Sequence, residues 1–312
     1  MATTVTAPVS NTYANAAEYV PFLDELYSVA SKTAILDTAP EFVRWPGDGF
    51  ANADTVYLYS LTPVGMGDYS KDGGFVPGDV VGAWTSYALT VDRGRSYSFD
   101  ALSNDWSKDL AAPNLLSIVE KTKIVPEVDA YRFAQYAYNA HSDNKTSATL
   151  STGSAAVAAI DAATMALDEA EVPDTGRILF VSPKMYSLIK AGITRYIQNA
   201  ERNIDYNVEM YNDMRVVMVP SARFNTAITL AQPTAHNGAG GYTLSGNAIN
   251  FMIVHPSAVL QVMRHYVPRV FTPALNQQAD AFLVQPRFCH GAWVLSQKTR
   301  GIYVHSGTTV SG

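Results

Sequence analysis

A phosphate cradle needs glycines that let backbone N–H groups close on an anion, and HNGAGGYTLSG, His236 to Gly246, is rich in them. Its context is wrong for nucleotide chemistry. No strand leads into it in the required way, no Gly-Lys-Ser/Thr follows, and no acid stands at the dinucleotide spacing. The segment reads as a flexible hairpin tip. The six histidines, His141, His236, His255, His265, His290 and His305, contain no HExxH or other short ligand spacing, so no metal site is expected. Cys289 and His290 offer a thiol beside a base, but neighbours on a predicted strand point to opposite faces and cannot share a proton directly. Cys289 reads as a small buried hydrophobe. Asp168, Glu169 and Glu171 close an Ala-rich helix and read as solvated. Two distant acids can still meet in space as a glycosidase pair does, which keeps a hydrolase as an alternative. No GxSxG elbow or kinase set is present. The residues therefore assign no catalytic group, no cofactor site and no cofactor.

Composition points away from a lone enzyme. Charged residues make up 16% of the chain, against about a quarter in an ordinary soluble domain. The chain has 18 Tyr, 12 Phe and 4 Trp. Interface centres shed Lys, Glu and Asp and gain aromatics, so an obligate assembly is favoured over a neutral-surfaced monomer. Net charge is -6, from 22 basic and 28 acidic residues, with no tract of Lys or Arg. Gripping a phosphate backbone takes clustered cations, so weak binding to free DNA is expected. The first 31 residues hold no Lys or Arg, which gives neither a basic arm nor the start of a secretory signal. No apolar run approaches membrane-spanning length. The single cysteine excludes an intrachain disulfide and suits a reducing cytosol. A chain of 312 residues can bury a sizeable core as one large domain or two modest ones.

Several elements must position whatever these residues do. After a polar start, NAAEYVPFLDELYSVA is a short amphipathic candidate within an arm that orders on something else. TVYLYSLT (Thr55 to Thr62) and WTSYALTV (Trp84 to Val91) alternate as strands do. Between them lies a long glycine-rich connection, and residues 38–100 together read as a protruding β-hairpin. A helical pattern from Ser103 to Lys123, interrupted by Pro113, follows. AAVAAIDAATMALDEA is an Ala-rich helix with Val157, Ile160, Met165 and Leu167 near one side. RILFVS is a short buried strand, after which Ser182 as N-cap and Pro183 open a helix closed by Gly192. VVMVP, NFMIVH, QVMRHYVPRVF and the stretch from Phe282 to Val304 read as later strands.

The most informative element is KIVPEVDAYRFAQYAYNA, Lys123 to Ala140. Pro126 suits a first helical turn, and Glu127 and Asp129 would set negative charge at the positive end of the dipole, giving a helix from about 126 to 140. Tyr131, Phe133, Tyr136 and Tyr138 spread round the wheel and cannot all face one core. At least one is expected to meet another subunit.

The order of elements and several phrases resemble the major capsid proteins of tailed bacteriophages. VPEVDAYRF (Val125 to Phe133) is similar to the end of that family's spine helix, and RILFVSPKMYSLI (Arg177 to Ile189) to a strand and helix of its axial domain. VVMVPSARF and FCHGAWVLSQKTRGIYV resemble later axial and peripheral strands. The resemblance implies an α+β, Hong-Kong-97-type capsid fold: an N-terminal arm over 1–37, an extended loop over 38–100, a peripheral domain with the spine helix over 101–150 and 249–312, and an axial domain over 151–248. It implies intersubunit packing at Tyr131, Phe133, Tyr136 and Tyr138, and places Lys71 in the loop from which some relatives form an isopeptide bond to an asparagine. No matching motif surrounds Asn276, so no cross-link is expected. The implied function is a non-enzymatic subunit that self-assembles into hexamers and pentamers of an icosahedral head around double-stranded DNA, without sequence-specific binding and without membrane. It would be assembled in host cytoplasm and end in the virion. Portal and decoration proteins are implied partners, and the short chain before the loop suggests that any scaffolding protein is separate. The same fold forms encapsulin compartments, so a cargo shell is the nearest alternative.

Overall fold

The structure is a computed structural model and describes residues 30–37, 43–44, 55–100, 111–193, 208–233, 238–266 and 269–307. The amphipathic part of the arm, His236 and the start of the helical pattern at Ser103 lie outside these residues.

In chain order the elements are β1 (Val43–Arg44), β2 (Thr55–Pro63), β3 (Val80–Ala88), β4 (Val91–Gly94), β5 (Tyr97–Asp100), α1 (Ala111–Val119), a π-helical segment Glu120–Ile124, α2 (Val125–Asn139), β6 (Lys145–Ser147) and α3 (Gly153–Glu169). There follow β7 (Ile178–Val181), α4 (Pro183–Ile193), β8 (Met210–Tyr211), β9 (Met214–Met218), β10 (Asn225–Leu230), β11 (Tyr242–Val254), β12 (Val259–Tyr266), β13 (Arg269–Phe271), β14 (Ala281–Gln285), β15 (Arg287–Val294) and β16 (Ile302–Ser306).

A seven-stranded sheet runs β6-β16-β11-β7-β9-β8, with β10 also paired to β11. Successive side chains of a strand alternate faces, and here both faces are covered. Ile178, Phe180, Met252 and Val254 pack with Phe133, Tyr136 and Ala137 of α2. Leu179, Val181, Phe251 and Ile253 pack instead with Ala156, Ile160, Leu167, Met185 and Ile189 of α3 and α4. Burial on both sides is why RILFVS carries no polar alternation. The expected division at residue 249 needs correction: β11 runs through it, and β16 lies in the same sheet as β7 and β9. Strand pairing across that boundary makes one layer of what the sequence separated.

The long helix also differs from expectation. It starts before Pro126, because α1, the π segment and α2 follow one another without a break from Ala111 to Asn139. Pro126 has no N–H for the carbonyl four residues back, and the Val125 N–H bonds the Glu120 carbonyl in the wider π pattern. Glu127 and Asp129 therefore sit in the body of the helix.

On α3 the buried stripe is Ala156, Ile160, Ala163 and Leu167, whereas Met165 is 66% exposed. Helix α4 begins as expected, with the Met185 N–H donating to Ser182 Oγ at 3.3 Å. Gly192 does not close it, since α4 continues to Ile193 and Gly192 instead meets Gly153 at the start of α3. A Cβ on Gly192 would fall 2.7 Å from the Gly153 carbonyl oxygen. Gly192→Ala should therefore destabilise the subunit by about 1–3 kcal/mol through overpacking, despite alanine's better helix propensity. A melting temperature equal to wild type would show that the helices can separate freely.

Candidate functional site

The hairpin is the first candidate surface. Its base is anchored: Val56 is buried with Leu89, Leu260, Val262 and Cys289, and Tyr87 and Trp293 pack against them. Toward its end, β2 reads exposed from Leu61 to Pro63, and no residue from 64 to 79 is buried. The strands run further than their alternation suggested. Pro63 pairs with Val80, so the connection shrinks to 64–79 and itself folds back at a Ser70–Gly74 bridge. Gly74, at φ +75°, takes a left-handed conformation that favours glycine, and the Tyr69 and Phe75 rings meet across the turn at 4.9 Å. Lys71 is exposed in this turn. Around it Val64, Met66, Tyr69, Phe75 and Val76 are all exposed, Met66 completely. So much apolar surface at one tip is the mark of a protein contact.

The second candidate is α2. Phe133 and Tyr136 are 0% exposed and belong to the chain's own core, with Phe133 edge-on to Phe180 and Phe224. They leave nothing to offer another subunit, which corrects the expectation for these two positions. The helix is apolar all round because it packs between two sheets. One flank faces the seven-stranded sheet, and the other faces β15, where Phe288 packs with Val128 and His290 meets Tyr131. Tyr131 is half-buried there, and burial raises its phenol pKa. Tyr138 alone of the four is exposed, at 77%.

The acids of α2 anchor other segments. Asp129, fully buried, accepts hydrogen bonds from Ser31 Oγ (2.7 Å), the Lys32 N–H (2.9 Å), Thr33 Oγ1 (2.7 Å) and Arg223 Nη1 (3.2 Å). The end of the expected arm is thereby tied to the helix, with Leu36 in the main core. Glu127 holds Arg93 through two bonds, at 2.7 and 3.2 Å, and Arg93 also donates to the Ala231 and Gly241 carbonyls. These carbonyls flank the connection between β10 and β11, two strands paired antiparallel, with Tyr242 to Gly246 of the glycine-rich segment already in the strand. Charge near the helix start could be read from sequence; its arginine partners could not.

Nothing among the described residues gathers chemistry. An open cleft of about 510 Å³ is lined by Asp92, Arg95, Arg269 and Arg287, giving one carboxylate rather than a pair. Asp168 is bound by Arg177 at 2.7 Å. Cys289 is buried on the face of β15 opposite His290, as strand alternation required. No group of three or more His, Cys, Asp or Glu able to hold a metal occurs among the described residues.

The class defined here is an α+β protein whose long helix is clasped between two sheets and whose hairpin ends in exposed apolar residues. Its fold is that of bacteriophage capsid structures. The asymmetric unit of the bacteriophage PhiM1 mature capsid matches with TM-score 0.62 at 14% identity, covering 95% of this chain and 93% of that one. The capsid structure of cyanophage P-SCSP1u matches with TM-score 0.62 at 13% identity, covering 94% and 93%. A structure from Mycobacterium phage Che8 matches with TM-score 0.59 at 15% identity, covering 95% and 97%. No protein-family model and no curated protein matches the sequence.

Proposed function

We propose that this chain is the major capsid protein of a tailed bacteriophage, self-assembling into the hexamers and pentamers of an icosahedral head around double-stranded DNA. The observation that carries the reading is fold likeness to phage capsid structures over nearly the whole chain. The apolar hairpin tip supports it, because a surface with no place in its own core is what a subunit contact requires. The role is structural, and no reaction is assigned. A separate scaffolding protein, a portal and decoration proteins are the partners that such a head would use. The head would be built in host cytoplasm and form the wall of the virion.

Expression of the full chain followed by negative-stain microscopy tests the reading. Closed shells of uniform size are expected, and phage particles built from them should hold DNA rather than protein cargo. A subunit that stays monomeric at high concentration, alone and with its phage's scaffolding protein, would overturn it.

The helix aromatics should divide under the same assay. Phe133→Ala and Tyr136→Ala each remove a ring from a filled core and should destabilise the unassembled subunit by about 3–5 kcal/mol. Tyr138→Ala should leave its melting unchanged and weaken assembly, by about 2 kcal/mol per contact if Tyr138 is an interface anchor. Normal shells from Tyr138→Ala would remove that residue from the interface.

A further inference from the structure

The face of β15 that meets α2 is apolar at Phe288, Ala292 and Val294 but carries His290 in its middle, 0% exposed. Neither ring nitrogen is in hydrogen-bond geometry with a described residue. The imidazole stacks on Phe288, with ring centroids 5.6 Å apart and planes at 17°, and meets the Tyr131 ring edge-on at 5.1 Å. The same seam holds other buried polar groups, the Tyr136 hydroxyl beside the Gln261 amide, and Arg132 Nε. Titratable and charged groups face His290 from two elements. Helix α2 supplies the Tyr131 phenol and Arg132, and β4 supplies Arg93, itself held by Glu127. From β12 comes the neutral Gln261, which pairs with Ala292 across the strands.

A neutral imidazole fits this slot as an aromatic ring. An imidazolium does not, because it would bring two N–H donors and a charge into a buried seam near the Arg132 and Arg93 guanidiniums, with no carboxylate of its own. We propose that His290 is a proton-operated latch, which keeps the long helix closed on the β12-β15-β4 sheet while neutral and releases it when protonated. Strand β4 follows directly from the hairpin and β15 carries the latch, so release would free the joint between hairpin base and helix. In a shell subunit this would make shape responsive to acid.

Burial first, then the two arginines, push the His290 pKa down from 6.5 to about 4. A base whose folded pKa is depressed contributes stability that is whole above the unfolded value. That contribution declines as pH falls below 6.5 and is fully lost below about 4. At about pH 5 the closed seam should be weakened roughly 20-fold relative to neutral pH.

Hydrogen exchange of the α2 amides in the full-length subunit, corrected for intrinsic rates, tests this at about pH 7 and about pH 5. Wild type should lose roughly 20-fold in protection, and His290→Phe, which fills the aromatic slot and binds no proton, should lose much less. Unchanged protection in wild type, or an equal loss in His290→Phe, overturns the latch. Should the Phe variant fail to fold, an NMR titration of the wild-type imidazole decides. A midpoint below about 5 supports the proposal and a higher one overturns it.

Discussion

Joining Pro63 to Val80 through a two-residue Asn-Gly turn, in place of residues 64–79, should leave a subunit that folds and melts like wild type but no longer closes into shells. The ends suit the change, because Pro63 and Val80 are already an antiparallel pair and Asn-Gly favours the tight turn that such a pair needs. Nothing buried is lost, since no residue of 64–79 is buried in the subunit. What disappears is the apolar group of Val64, Met66, Tyr69, Phe75 and Val76, together with Lys71. Aromatic and Met side chains at the centre of an interface can each carry about 2 kcal/mol, and a closed shell repeats every contact, so the expected effect on assembly is near all-or-none. Thermal melting and electron microscopy of the same preparation separate the two effects. Normal closed shells from the shortened chain would refute the assignment of the hairpin as an assembly element.

Asp129→Ala should be the most damaging single substitution on the long helix outside its aromatic core. The carboxylate is fully buried and takes bonds from the side chains of Ser31, Thr33 and Arg223 and from the Lys32 backbone. Its removal takes from the Arg223 guanidinium, only 7% exposed, a carboxylate contact at 3.2 Å. Breaking a buried pair from one side costs about 3–5 kcal/mol, a large part of the 5–15 kcal/mol or so that holds a domain together. Asp129→Asn keeps the shape and one acceptor but turns the other site into a donor facing donors, so an intermediate loss is expected. Denaturant unfolding of the unassembled subunit measures both. Proteolysis should also reach residues 30–37 sooner in the Ala variant, because four of their hydrogen bonds to the helix end on this carboxylate, leaving Arg132 with Thr33 and Asp37. Wild-type stability in Asp129→Ala would show that Leu36 and its apolar neighbours, with the Arg132 contacts to Thr33 and Asp37, suffice to hold the segment.

Local signals in the chain were dependable wherever the determinant was itself local. Ser182 followed by Pro183 opens a helix because one side chain and one ring act on the adjacent turn. Alternation in β2 marks a strand, and the adjacency of Cys289 and His290 forces them onto opposite faces, because a strand repeats every two residues. The mixed α+β class was legible on the same grounds. What a side chain meets at the end of its direction was not. A helical wheel sends Phe133, Tyr136 and Tyr138 different ways, but only the tertiary structure places two sheets beside the first two and leaves the third exposed. Glu127 and Asp129 read locally as charges at a helix start. Their actual partners stand far off in sequence, Arg93 at a separation of 34 residues and Arg223 at 94. The division at residue 249 failed for the same reason, because strand order in the seven-stranded sheet is set by pairing across the whole chain, and sequence proximity carries no information about which distant strand supplies the hydrogen bonds.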